Sequence, residues 1–414
     1  MFKNKTIVKA VLLWLCSLSV MCTGVVSPAL PILQKSFSHL PNAAMLTKMM
    51  VVVPNLFIAL FSPLFGFLAP RVGKIRLLMF AMILYALAGT SGVYLKDIQH
   101  MIMLRAFLGI AIAAIMTVAV TLIADYFDGF ERSSLVGMQT TVMSIGSTLY
   151  TMLSGAIADI NWRNIFYLYS MSLLIMPFIH IFLFEPSEHP EIATTQQKSE
   201  RKIVQNNFAI FLVCGINLLT MTMFYMITLQ LPFLLYNDPA FASMNMNAKK
   251  IAFAISCEVL FAAAFSLKYR RFKKNRDFAV MCAMAFALMS LSYIIISYSA
   301  NYAMIILAMI VCGIGMGLMM PNSTLWIISI TKPANRPLFM GIFTTSTFLG
   351  KFLSPLVAAG IFSFTSMRKA FTVDAFIMLF VAILAMYLND YFKRINRVLF
   401  RKQLRHDNKT KNKV

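Results

Sequence analysis

Gly109–Val118, GIAIAAIMTV, and Gly313–Asn322, GIGMGLMMPN, carry one pattern twice at a separation of 204 positions. The register holds downstream, where Arg132, Gly137 and Gly146 return as Arg336, Gly341 and Gly350 at the same offset. Leu30-Pro31-Ile32-Leu33 returns as Leu231-Pro232-Phe233-Leu234 at an offset of 201, and Arg71, Lys74 and Arg76 return as Arg271, Lys274 and Arg276 at 200. Insertions of a few residues account for the drift. An internal repeat of this length on apolar segments predicts two sibling halves, a construction typical of secondary transporters that bind their solute between the halves.

Composition sets the solvent. Hydrophobic residues make up 59% of the chain and charged residues 13%, with a mean hydropathy of +0.76. Soluble domains run at about 45–50% apolar and about 25% charged. A chain this apolar buries most of its length in lipid. Lys3, Lys5 and Lys9 precede an apolar run to Leu33 that is too long for a signal peptide and lacks a small-residue cleavage site, so it reads as an uncleaved first span.

Apolar runs of about 17–25 residues mark spans. They fall near 7–29, 44–68, 77–95, 100–124, 135–158, 164–184, 207–236, 250–267, 278–299, 302–329, 338–363 and 369–389. The fold class is therefore an all-α polytopic membrane protein, twelve transmembrane helices arranged as two pseudo-symmetric six-helix bundles. The bundles are residues 1–184 and 207–389, joined by a polar linker at 185–206 and followed by a basic tail at 390–414. Pro28, Pro54, Pro63, Pro177, Pro232, Pro321 and Pro355 fall within these spans, where neighbouring helices satisfy the freed backbone groups.

With both termini inside, 27 of the 37 lysines and arginines face the cytoplasm and 8 face outward. Arg105 and Lys351 alone remain within spans. The bias follows the positive-inside rule and accounts for the net charge of +22 without a nucleic-acid partner. The tail from Lys393 to Lys413 reads as a lipid-facing segment. Six cysteines all fall inside spans with no C-x-x-C pair, so neither a disulfide framework nor a zinc site is expected. The expected location is the cytoplasmic (inner) membrane.

Several motifs resemble the major facilitator superfamily, in its twelve-span, drug:proton-antiporter-like branch. Gly66-Phe67-Leu68-Ala69-Pro70-Arg71-Val72-Gly73-Lys74 matches the signature after span two, with Pro70 where the family has Asp. Arg105-Ala106-Phe107-Leu108-Gly109 matches the span-four signature. Asp125-Tyr126-Phe127 with Glu131-Arg132 resembles the loop after span four, and Trp162-Arg163-Asn164-Ile165-Phe166 resembles the entry to span six. In span five Gly146 and Gly155 remain, while Tyr150-Thr151 stands where the antiporter signature has Gly-Pro. The resemblance implies alternating access by a monomer, with Arg71, Lys74, Asp125 and Arg132 as candidates for a cytoplasmic gate in which Lys74 pairs with Asp125; solvated loop charges are the alternative. It implies neither cofactor nor metal.

Chemistry must lie with the polar groups held in the membrane, because a charge at the bilayer centre costs about 2.5–3.5 kcal/mol on insertion scales. Arg105, Glu258 and Lys351 stand out. Glu258 and Lys351 reach a similar depth, counted from opposite ends of spans eight and eleven. A pair there would lower its own burial cost, and protonating Glu258 would break it; a static structural pair is the alternative. Gln139, Asn217 and Asn322 offer hydrogen bonds to a solute or between helices. Asp374 is expected to reach the outer interface from span twelve, and His180 to be interfacial.

Span one carries no acid, and the embedded count is two cations against one acid. Such a cavity favours anionic, zwitterionic or polar ligands over lipophilic cations. The expected activity is proton-coupled export of a small metabolite, a siderophore-like product among the options, with small solute, protons and membrane lipid as partners. A multidrug efflux antiporter, and a non-transporting sensor or lipid flippase on the same scaffold, are the alternatives. The chain has no H-E-x-x-H, G-x-S-x-G or P-loop motif, so an enzyme or ATP-driven pump is disfavoured.

Overall fold

The computed structural model describes residues 5–127, 129–185, 207–274, 276–332, 335–362 and 364–387. The tail expected at 390–414, and all of the 185–206 linker except Glu185, lie outside the described residues. Among the described residues, eleven helices are long and apolar enough to cross a membrane, and a bent pair makes a twelfth span. In chain order they are α1 (Lys5–Leu18 with Met21–Ser36, bent by 45°), α2 (Ala43–Val72), α3 (Lys74–Tyr94), α4 (Ile98–Tyr126), α5 (Gly129–Ala158), α6 (Trp162–Phe182), α7 (Asn207–Asn237), α8 (Ala248–Lys273), α9 (Phe278–Ser297), α10 (Tyr302–Ile330), α11 (Arg336–Phe362) and α12 (Met367–Tyr387).

Local chemistry explains the departures from the expected boundaries. The bend in α1 follows two serines whose hydroxyls turn back on the helix: Ser17 donates to the Trp14 carbonyl and Ser19 to the Cys16 carbonyl, each at 2.7 Å. Such back-bonding competes with the helical ladder and bends it. Beyond the bend the chain stays helical to Ser36, past the expected end at residue 29, because Pro28 and Pro31 stand in the first turns of new helical segments, where their missing N–H groups leave no bond unmade. Between α2 and α3 the chain reverses at Gly73, whose φ of +99° only glycine adopts without strain.

The sequence repeat is also a packing repeat. A Cβ on Gly109 would lie 2.5 Å from the Pro54 carbonyl oxygen of α2, and one on Gly313 would lie 2.3 Å from the Glu258 carbonyl oxygen of α8. Glycine is thus required in α4 and α10 for the same reason, close approach to the helix two spans earlier. Gly146 meets Ser17 of α1, and its counterpart Gly350 meets Leu218 of α7.

The two halves meet through α5 on α8 and α2 on α11. We term the end where α1 begins the terminal end. From the middle of the bundle to the opposite end, hydrogen bonds cross between halves. The Thr23 and Tyr225 hydroxyls pair at 3.2 Å, and Ser27 donates to the Thr228 carbonyl at 3.3 Å. The Lys48 ammonium donates to Gln230 Oε1 at 2.9 Å. Lys48 is half-buried in α2. At the same end the Asp159 carboxylate accepts the Ala248 and Lys249 amides at 2.8 and 3.3 Å, capping α8 from the tip of α5. Leu229, Phe233 and Ala248 of the second half are buried in the core of the first.

Candidate functional site

Two adjoining chambers occupy the interface between the halves. The inner one, about 150 Å³, is lined by the bend of α1 together with α2, α4, α5, α7, α8 and α11. Val20, Met143, Ser147, Phe224, Glu258 and Val259 belong to both chambers. The outer one, about 320 Å³, extends along α5, α8 and α10 past Ala262, Ser266 and Met320. Its wall is mainly aliphatic, with Phe224 and the hydroxyls of Thr140, Thr141, Ser144, Ser147 and Ser266, and the inner chamber is lined by the hydroxyls of Ser19, Thr23, Ser27 and Thr151 and the Asn55 amide.

Glu258 and Lys351 both line the inner chamber. They do not form the ion pair weighed from sequence: no such pair occurs among the described residues, and Glu258 Oε1, in a residue 1% exposed, has no hydrogen-bond partner. The Lys351 ammonium instead lies 4.9 Å from both the Tyr225 and Phe348 ring centres. Aromatic faces stabilise a desolvated cation by about 2 kcal/mol, which holds the charge while leaving it open to an anion. The chamber therefore presents one cation and one acid at separate points of its wall.

Arg105 is placed differently. It is 1% exposed and lies behind the bend of α1, outside the lining of either chamber. Its Nη1 donates to the Tyr169 hydroxyl at 2.8 Å, which in turn donates to the Met21 carbonyl at 3.1 Å. The guanidinium also stacks on the Phe166 and Tyr169 rings at 4.9 and 4.8 Å. The two-to-one excess of embedded cations read from sequence therefore does not describe the chambers themselves.

The amides named from sequence bind helices. Asn217 donates to the Ser346 and Thr347 hydroxyls at 2.9 and 2.8 Å, fastening α7 to α11. Asn322 accepts from the Tyr269 hydroxyl at 2.8 Å and donates to the Phe278 carbonyl at 2.9 Å, joining α8, α9 and α10. Gln139 is half-buried and makes a weak contact with the Met143 sulfur at 3.9 Å. Asp374 corrects an expectation: it is fully buried, not interfacial, because α12 turns this face toward Tyr293 and the core of the second half.

At the terminal end Lys74 pairs with Asp125 at 2.8 Å. Arg71 stacks on Phe67 at 3.8 Å, and Arg132 is exposed. Sequence reasoning missed Glu185, whose carboxylate accepts the Lys74 and Ile75 amides at 2.6 and 2.9 Å and so caps α3 from the end of α6. Anions at a helix N-terminus are stabilised by its unpaired amides and dipole, and a lone acid just before a proline is the only sequence signal for that role.

Just beyond the end of α7, the Asp238 carboxylate accepts from the Arg368 guanidinium at 2.5 Å, which holds that carboxyl below its usual range, helped by the Ala240 amide. A depressed carboxyl contributes stability above its unfolded value, about 3.9, and loses it as pH falls through the lower folded value. Acid unfolding of the Arg368→Met variant should therefore show a shallower stability loss below about pH 4 than the parent. Matching acid limbs in thermal melts would count against this contribution.

Comparison with known proteins places these features. The family model for the Major Facilitator Superfamily matches residues 12–323 and 239–407. The quinolone resistance protein NorA of Staphylococcus aureus (strain COL) is 23% identical over 342 residues, covering 82% of this chain and 86% of the relative. Among solved structures, a bacterial homolog of the human lysosomal transporter Spinster, inward-facing and occupied, aligns with a TM-score of 0.73 at 12% identity, covering 94% of this chain and 98% of that one. The human organic anion transporter MFSD10 aligns with a TM-score of 0.66 at 16% identity, covering 92% and 99%.

Proposed function

The chain belongs to the Major Facilitator Superfamily, and from that membership we propose that it exports small carboxylate-bearing or zwitterionic amphiphiles in exchange for protons. The observation that carries this reading is the inner chamber, where Lys351 and Glu258 face one space without pairing. A carboxylate on the solute is drawn to the Lys351 ammonium, and its apolar part lies in the outer chamber against Phe224 and Met320. Glu258 exchanges a proton with that binding event. Residues 1–184 and 207–389 are the two rocking bodies. The terminal end faces the cytoplasm of the inner membrane, so the chamber loads from inside. Lys74, Asp125, Arg71 and Arg132 then control closure at that end. The NorA relatives, named for quinolone resistance, support efflux as the direction.

The mainly apolar outer chamber favours a second reading, broad multidrug efflux. Proteoliposomes under an imposed pH gradient separate the two, with a fluorescent quinolone as the carboxylate probe and a lipophilic cationic dye as competitor. The charge argument expects preference for the carboxylate probe. A charge-assisted hydrogen bond is worth about 1.5–3 kcal/mol, so Lys351→Met should weaken probe binding about 10- to 150-fold while leaving the dye unaffected. Preference for the dye in the parent protein would overturn the carboxylate assignment and favour the second reading.

A further inference from the structure

The sixth and twelfth spans share a register that exposes a second buried acid. Arg163 Nη1 donates to the Gly92 and Leu95 carbonyls at 3.1 and 2.6 Å, tying the start of α6 to the end of α3. Arg368 Nη1 donates to the Ser297 and Ser299 carbonyls at 3.1 and 2.7 Å, tying the start of α12 to the end of α9. With these arginines superposed, at an offset of 205, Phe166 falls on Phe371 and Tyr169 falls on Asp374. Arg105 meanwhile falls on Met309 at 204. The first half thus holds Arg105 against a neutral Tyr169, and the second holds Asp374 with Met309 where the cation would be.

Asp374 is 0% exposed, and neither carboxylate oxygen has a hydrogen-bond partner. The neighbouring hydroxyls are already committed: Ser290 donates to the Ala375 carbonyl at 2.7 Å, Ser292 to the Ala308 carbonyl at 2.8 Å, and Tyr293 to the Met223 carbonyl. Among the described residues no group of three or more acids, histidines or cysteines gathers that could hold a metal ion. Asp374, Cys312 of α10 and Glu258 of α8 all lie within electrostatic reach of the Tyr293 hydroxyl of α9. None is a cation. An isolated carboxylate in such surroundings is very costly, and the neutral acid avoids that cost.

We propose that Asp374 is a second proton-binding carboxyl, buried in the core of the second half, which takes up and releases its proton as the halves rock. This rests on the proton-coupled reading above.

The test needs no solute. Infrared difference spectra of the full-length protein in lipid, stepped from acid to alkaline pH in H₂O and in D₂O, should show two titrating carboxylic-acid C=O signals. Asp374→Asn should remove one and Glu258→Gln the other. Asp374→Glu should shift the first signal without abolishing it, which keeps the assignment secure even where the Asn variant folds poorly. A carboxylic-acid signal at Asp374 that neither titrates nor shifts in D₂O marks a locked structural acid and overturns the proposal, as does a spectrum unchanged in both Asp374 variants. A parent spectrum in which only the Glu258 signal titrates overturns the Asp374 proposal and leaves proton coupling through Glu258 standing; absence of both titrating signals overturns the coupled reading with it.

Discussion

Glu258→Gln is expected to abolish gradient-driven accumulation while leaving solute binding intact. The reasoning starts from geometry. Glu258 lines both chambers, is 1% exposed and leaves Oε1 without a partner. Gln matches its shape and resembles the protonated acid, so the chamber keeps its form and Lys351 keeps its aromatic seat. What disappears is the ability to exchange a proton against the solute. A gradient of about two pH units is worth about 2.7 kcal/mol per proton, enough to sustain roughly a hundredfold solute ratio in a one-proton carrier. In the Gln variant that ratio should fall to about one, with counterflow exchange of quinolone for quinolone preserved. Retained accumulation under a gradient would remove Glu258 from the coupling step.

Periodicity and the repeat made the fold legible, because both are properties of single helices read in order. The glycines at 109 and 313 announce a close approach, and the structure shows what they approach. The chamber holds Glu258 and Lys351 together because both sit near the midpoint of their spans, and depth can be counted from span ends. Helix rotation cannot be counted in this way. Arg105 and Asp374 each stand on the face turned into one half, so depth alone did not show that Arg105 misses the chamber or that Asp374 is buried away from the interface. Asn217 and Asn322 look like solute ligands until the helices carrying Ser346 and Tyr269 are set beside them. The closing contacts were the least legible. Asp159 caps a helix 89 positions away and Lys48 reaches Gln230 across 182, and no local pattern links either pair. For Asp374 a signal did exist: aligning Arg163 with Arg368 sets it on Tyr169, within a repeat whose other register was already apparent.

Gly155→Leu should trap the carrier with its opposite end open. A Cβ at Gly155 would stand 2.5 Å from the Ala252 Cβ and 2.8 Å from the Ala248 carbonyl oxygen, closer than packed atoms allow, so even alanine strains this contact between α5 and α8. One turn on, Asp159 receives the first amides of α8. That capping requires the two helix ends to touch, which a leucine prevents. Neither element loses its own half's packing, because the crowded atoms belong to the other half. The strain therefore falls on one conformation of the cycle and spares the fold. Overpacking costs about 1–3 kcal/mol, which depopulates the conformation seen here by a factor of about 5 to 150. Ser147 lines both chambers and is half-buried, so a cysteine placed there serves as the reporter. In a cysteine-free variant carrying Ser147→Cys, an impermeant maleimide should label it more slowly from the terminal side, and faster from the opposite side, once Gly155→Leu is added. Transport should fall in step, since each cycle must pass through the closure that the leucine obstructs. Unchanged labelling from both sides, with transport intact, would show that the α5–α8 contact is not part of the moving interface.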